Sequence, residues 1–273
     1  MNIQNVYILE DRGILYINGV DAKEFLQNII SNDIYKVNED NSCFASLLSE
    51  KSQTEGLFKQ LSIYKLRSKV EIMNLSNEFV VAAFNREKFL KFEGSKDVPG
   101  NTIKYREDSI LLDPRNKNLG ARLIINLEKL YLSLKKLELK DSPVDEYYQL
   151  SHELGIPQKN MNELQNKLFG IECNFDELNG IDFKKGCYVG QENTARIKLK
   201  NKLSKRLLPI EVIEGELNQD DLIYNGDFQV GKVLISNEYP FALIKYLDDN
   251  FNQENEFKSK NARLKIKIPS WIN

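Results

Sequence analysis

The chain has 273 residues, 41% hydrophobic and 29% charged, enough for one large domain or two modest ones whose core needs no disulfide or metal staple. Its 38 basic and 40 acidic residues leave a net charge of −2, which argues neither for nor against a polyanionic partner, and the composition excludes a disordered or membrane-embedded chain. The opening MNIQNVYILED lacks a basic start followed by an apolar run, and no apolar stretch approaches the ~18 residues of a membrane span, so the expectation is a cytoplasmic protein.

Two short strands, Val6–Leu9 and Ile14–Ile17, are predicted across an Asp11-Arg12-Gly13 turn, with Gly13 supplying a positive φ. Asp21 can cap a helix whose apolar positions Ala22, Phe25, Leu26, Ile29 and Ile30 recur every three or four residues. Strand-like stretches follow at Leu57–Leu66, Val70–Met73 and Phe79–Ala83, then a helix from Asn85 and a polar junction around Pro99-Gly100. Strands near Ser109–Leu112 and Ala121–Asn126 flank the turn Asp113-Pro114-Arg115-Asn116. The lysine-rich stretch 127–140 reads as a helix with a solvated face, because glutamates interleave the lysines, and not as a membrane or nucleic-acid contact. Helical segments are expected at Val144–Leu154 and Asn162–Phe169.

Beyond residue 203 the texture changes to short β-rich stretches separated by turn signals: Leu207–Ile213, Asp221–Tyr224, Gln229–Ser236, Phe241–Tyr246 and Ala262–Ile268. That spacing predicts a small barrel or sandwich. The expected division is therefore residues 1–202, an α+β domain, and 203–273, a β domain.

The three cysteines, Cys43, Cys173 and Cys187, lie far apart, and the one histidine is His152, so no private metal or cluster site is predicted. Cys187 stands out. It lies between Gly186 and Gly190, after Lys184 and Lys185, ahead of a helix predicted to begin near Gln191. A helix N-terminus and nearby lysines both favour thiolate, and the glycines let backbone N–H groups approach a ligand closely. The residues alone leave two readings open: a functional thiol, or an inert cysteine packed in a turn.

The string Lys185-Gly186-Cys187-Tyr188-Val189-Gly190-Gln191-Glu192, with Ala195-Arg196 after it, resembles the KGCYxGQE…AR signature of the YgfZ family, a folate-binding branch of the aminomethyltransferase (glycine-cleavage T-protein) superfamily. Gly19-Val20-Asp21-Ala22 with Phe25-Leu26-Gln27 and Asn32-Asp33, then Asp113-Pro114-Arg115 with Leu119-Gly120-Ala121-Arg122, are similar to other stretches of that family in the same order. The resemblance implies an α+β fold: a duplicated ferredoxin-like folate-binding domain followed by a small C-terminal β-barrel. It implies tetrahydrofolate as cofactor, with Glu153, Asn32, Asp33 and Tyr188 as binding residues, and Cys187 as the catalytic thiol within a motif of Lys185, Gly186, Tyr188, Gly190, Gln191, Glu192 and Arg196. It further implies a role in assembling or repairing iron–sulfur clusters, among them that of a radical enzyme modifying tRNA. The partners would be iron–sulfur assembly proteins or client enzymes, with no direct nucleic-acid or membrane contact.

Glu153 falls where aminomethyltransferases place a glutamate that grips the pterin ring, a task suited to a carboxylate accepting two parallel hydrogen bonds; the other reading is a solvated helix-face residue. The sequence also departs from the aminomethyltransferases. Their adjacent aspartates, in a G-x-x-D-D context, correspond to Lys59 and Gln60 of Gly56-Leu57-Phe58-Lys59-Gln60. Without that charge, a folate-dependent aminomethyl transfer is the second reading of function and an accessory role the first.

Overall fold

The computed structural model describes residues 1–45, 51–65, 67–199 and 203–272. By internal contacts the chain forms two compact units, Met1–Tyr147 with Leu178–Gln191, and Tyr148–Glu177 with Glu192–Asn273. This grouping differs from a cut at 202/203, and residue 202 itself lies outside the described residues.

In the first unit, strands β1 (Asn5–Leu9), β4 (Phe79–Phe84), β5 (Thr102–Tyr105), β6 (Asp108–Leu112), β7 (Ala121–Asn126) and β8 (Lys140–Asp141) form one sheet in the order β5-β6-β7-β4-β1-β8. All neighbours are antiparallel except β1 and β8. The two-residue alternation of strands sorts its side chains. Val80, Ala82 and Phe84, Ile110 and Leu112, and Ala121, Leu123 and Ile125 share one face, packed against Phe89, Leu130 and Leu134. Those last residues come from helices α3 (Arg86–Phe89) and α4 (Leu130–Lys136). The intervening residues Val81, Leu111, Arg122 and Ile124 line a cavity on the opposite face.

A second group in the same unit joins β2 (Leu15–Asn18) and β3 (Glu71–Asn74) to helices α1 (Ala22–Gln27) and α2 (Lys51–Tyr64). Phe25, Leu61, Val70 and Ile72 form its core. Here the structure corrects several expectations. The two opening strands do not form a hairpin, since β1 pairs with β4 and β2 with β3. Gly13 is required by space and not by a positive φ, because a Cβ there would fall 1.7 Å from Thr54 Oγ1. Asp21 makes no side-chain cap on α1; its Oδ2 accepts from the Lys69 backbone N–H at 2.7 Å. The stretch predicted as a strand at Leu57–Leu66 is helical to Tyr64, because Leu57, Phe58 and Leu61 bury one helical stripe while the strand-favouring Ile63 and Tyr64 stay exposed.

The second unit carries a closed barrel of β9 (Arg206–Gly215), β10 (Leu222–Asn225), β11 (Phe228–Ile235), β12 (Phe241–Ile244), β13 (Phe257–Ser259) and β14 (Ala262–Ile266), in the order β10-β11-β12-β9-β14-β13. The pair Tyr224 and Lys258 closes it. Leu208, Ile210, Ile223, Val233, Phe257 and Leu264 fill the interior. Closure removes the unpaired strand edges that a short sheet would expose. Helix α5 (Val144–Glu153) and helix α6 (Gln191–Leu199) each begin in the first unit and continue in the second. Of the helix expected at Asn162–Phe169, only a single 3-10 turn at Met161–Leu164 forms.

Candidate functional site

Residues 180–190 run as an irregular loop into α6, and α6 begins at Gln191, where a helix was expected. Lys185, Gly186, Cys187, Tyr188, Gly190 and Gln191 belong to the first unit, Glu192 and the exposed Arg196 to the second. Polar contacts to one segment hold the loop. The Lys185 ammonium donates to the carbonyls of Gln27 at 2.6 Å, Ile30 at 2.6 Å and Asn32 at 3.0 Å. These carbonyls end α1 and the turn after it, where helix C=O groups lack intrahelical partners and cations are favoured. The Tyr188 ring centroid lies 5.0 Å from the same ammonium. Val189 N–H donates to Asn28 O at 3.0 Å, and Asp182 N–H to Ser31 O at 3.0 Å. Ser31 Oγ donates to Gly180 O at 2.5 Å, and Lys36 pairs with Asp182.

Cys187 is exposed, whereas Cys43 and Cys173 are partly covered. Burial pushes the Cys43 thiol up, Asp33 adds to this and Lys185 opposes it. Burial among the barrel-side apolar residues pushes Cys173 well above the ordinary thiol value, with Glu172 adding to it. The sequence looked to Lys184 and Lys185 as positive charge for Cys187. In the fold Lys184 is exposed, and the Lys185 ammonium is committed to three carbonyls, its pKa lowered by partial burial against the pull of Asp33 and Asp182.

The cavity on the sheet's second face has a volume of about 360 Å³. Leu26, Ile30, Ile34, Val81, Leu111 and Ile124 give it apolar walls, Cys43 and Phe44 line it, and Asp113, Arg115 and Arg122 supply its charge. Asp113 is fully buried. Its Oδ1 accepts from Arg115 N–H and Nε, both at 3.0 Å, and its Oδ2 from Arg115 Nη2 at 2.7 Å. Arg122 Nε lies 2.8 Å from the same Oδ2, and Arg122 Nη2 donates to Tyr147 Oη at 3.2 Å. Burial opposes ionisation of Asp113, yet the two guanidinium groups hold its carboxyl well below the usual carboxylate range. One carboxylate between two arginines leaves a net positive charge at the polar end of an apolar cavity. The sequence noticed these residues only as part of a family-like stretch. The available signal was Arg122, a charged residue among the apolar residues of β7.

Asn32 and Asp33 flank this cavity wall with their side chains engaged. Asn32 Nδ2 donates to Phe44 O and Asn179 O, each at 2.7 Å, and its Oδ1 accepts from Asp33 N–H at 2.8 Å. Asp33 Oδ1 accepts from Tyr35 N–H at 3.1 Å, capping a 3-10 turn. Glu153 belongs to the second unit, is exposed, and accepts from Gln149 Nε2 at 3.2 Å along α5. His152 beside it packs edge-on to Phe241 at 5.2 Å with Nε2 3.0 Å from Pro240 O. Lys59 and Gln60 are exposed on α2. Beyond the motif, Lys198 pairs with Asp176 and Arg206 with Glu177, while Lys200 and Lys202 lie outside the described residues. Among the described residues, no group of three or more His, Cys, Asp or Glu side chains is placed to hold a metal ion.

No family model matches the chain. Among curated proteins, it is similar to the mitochondrial iron–sulfur cluster assembly factor IBA57 homolog of Dictyostelium discoideum, 32% identical over 176 residues, covering 63% of this chain and 42% of that protein. It is also similar to the protein of the same name from Neurospora crassa, 27% identical over 238 residues, covering 74% of this chain and 52% of that one. The chain thus spans about half the length of the curated relatives it matches. Among solved structures, the glycine cleavage system aminomethyltransferase T of Bartonella henselae superposes with a TM-score of 0.73 at 11% identity, covering 98% of this chain and 86% of that one. The fold is of aminomethyltransferase type: a mixed α/β chain ending in a closed barrel. These likenesses support the YgfZ and aminomethyltransferase-superfamily resemblance. They overturn the expectation of a cytoplasmic protein, because these relatives are named as mitochondrial. Among the described residues, no helix is long and apolar enough to cross a membrane.

Proposed function

We propose that this protein is a tetrahydrofolate-binding accessory factor for the assembly or repair of iron–sulfur clusters, with Cys187 as its functional thiol. The observation that carries the reading is Cys187 itself, the exposed cysteine of the three, on a loop fastened by its own motif lysine. The relatives named as iron–sulfur cluster assembly factors support the same role. Client enzymes and assembly proteins are the proposed partners, reached without direct contact to nucleic acid or membrane. The proposed folate-binding part is residues 1–202 and the proposed barrel part 203–273.

The first-unit cavity fits part of a folate. Its apolar walls suit a flat ring, and its net positive end suits acceptor atoms such as a ring carbonyl or a glutamyl carboxylate. Asp113 is not the group that would take the pterin's N–H donors, since both its oxygens are spent on arginines. Glu153, on the second unit, is proposed separately as a carboxylate suited to a pterin's donors; in the first unit Tyr188 lies against the Lys185 ammonium, and Asn32 and Asp33 are tied to neighbouring backbone groups. Tetrahydrofolate, when bound, supplies a reduced pterin able to carry a one-carbon unit. With Lys59 and Gln60 exposed and uncharged or cationic where aminomethyltransferases carry aspartates, aminomethyl transfer is the weaker reading.

Calorimetric titration with tetrahydrofolate tests the cofactor. Binding is expected, and Glu153→Ala should weaken it by about 1–3 kcal/mol, the usual worth of a hydrogen bond to a charged group; no binding at millimolar ligand removes the folate claim. Restoration of iron–sulfur enzyme activity in a deletion strain tests the thiol: Cys187→Ser should fold and fail to restore it, and full restoration would make Cys187 structural.

A further inference from the structure

The segment 26–36 faces two ways. Leu26, Ile30 and Ile34 line the cavity with their side chains. The backbone carbonyls of Gln27, Asn28, Ile30, Ser31 and Asn32 accept hydrogen bonds from the Cys187 loop and the residues leading into it. The wall that a ligand would press against is thus the bracket on which the thiol loop hangs.

Lys185 is the strongest tie. An ammonium has three N–H donors, and three carbonyls converge on this one at 2.6, 2.6 and 3.0 Å. A planar guanidinium has its donors in a fixed fork and cannot point three of them at carbonyls converging on one atom. We propose that Lys185 is a positioning residue that couples the cavity to the Cys187 loop, so that filling the cavity changes the exposure of the thiol. Its role is the geometry of its donors, not the field of its charge.

The coupling rests on the cavity being the ligand site proposed above, but it has a test that needs no ligand. Alkylation of Cys187 by iodoacetamide is followed by mass mapping in the full chain, with circular dichroism confirming that each variant is folded. In the wild type, saturating tetrahydrofolate should change the Cys187 rate by about fivefold or more, the lower end of ordinary allosteric coupling. Leu111→Phe, which adds bulk to the cavity from the sheet side, should change the rate without ligand. Both effects should be lost in Lys185→Met and also in Lys185→Arg, which keeps the charge and removes the three-way clamp. If tetrahydrofolate binds and neither it nor Leu111→Phe moves the Cys187 rate, the coupling is wrong and the folate reading stands. If tetrahydrofolate does not bind but Leu111→Phe moves the rate through Lys185, the folate reading falls and the coupling stands. Effects that persist undiminished in Lys185→Arg would show that charge, not clamp geometry, carries them, and would overturn the proposal. Should Lys185→Met fail to fold, Lys185→Arg against wild type still decides the matter.

Discussion

The barrel and the Cys187 loop are held by opposite means. In the barrel, side chains such as Leu208, Ile223, Val233 and Leu264 are fully buried on closed strands, and non-directional burial of area does most of the work. The loop exposes Gly186, Cys187, Val189 and Gly190, and directed hydrogen bonds to the carbonyls of residues 27–32 hold it. A region held by area tolerates a swap of similar volume. One held by converging donors should lose its geometry even on a swap of the same charge, which is what Lys185→Arg tests. The difference suits a scaffold in the first case and a presented thiol in the second.

The Asp113 cluster combines both means, a directed polar grip inside an apolar surround, and should give the largest single effect. Asp113→Ala leaves the buried Arg115 and the largely covered Arg122 without their shared carboxylate and should cost about 3–5 kcal/mol in urea denaturation. The pH dependence has a definite sign. Asp113 has a lower pKa folded than unfolded, so its contribution is complete above about pH 4, the unfolded carboxylate value. It is lost as pH falls toward the folded value of about 2. Asp113→Asn should therefore flatten that acid limb; an unchanged limb would mean that other carboxylates set acid stability.

Next in size is the barrel. Leu264→Ala removes a fully buried side chain and should cost about 2–5 kcal/mol, depending on how far the site collapses. Trp271, the one tryptophan, reports on it directly, since it packs against the barrel core and its Nε1 donates to Leu154 O at 2.7 Å. Fluorescence should show an earlier unfolding midpoint. An unmoved Trp271 transition would break the contrast between a region held by area and one held by directed bonds.

That contrast also explains what could be read from the chain. Strands announced by short apolar, β-rich runs, such as Val6–Leu9, Phe79–Ala83 and Ala121–Asn126, form where expected, and five of the six barrel strands were visible as short β-rich stretches between turn signals. The sixth, Phe257–Ser259, has three residues and too short a pattern to register. α2 was misread because Ile63 and Tyr64 look like strand residues, and only packing reveals that Leu57, Phe58 and Leu61 choose the helix. Around the thiol, the identity of the motif was legible but its geometry was not. Nothing in local spacing says that Lys185 turns to carbonyls more than 150 positions earlier, or that Arg122 and Arg115 share the carboxylate of Asp113.

The smallest expected effect separates the two glycines of the motif, which the sequence treats alike. Gly190 has φ +85°, in the left-handed region that costs a side-chain-bearing residue about 1–2 kcal/mol, so Gly190→Ala should lower stability by about that amount. Gly186 is not in that region, and a Cβ there would meet nothing within 4 Å. Gly186→Ala should therefore leave the denaturation midpoint unchanged within about 0.5 kcal/mol, as surface substitutions usually do. The fold has no need of a glycine at 186. If Gly186→Ala folds normally yet fails to restore iron–sulfur enzyme activity, the missing side chain serves something that comes from outside to meet Cys187. If it restores activity fully, close approach at that position is not required, and the exposed thiol acts without it.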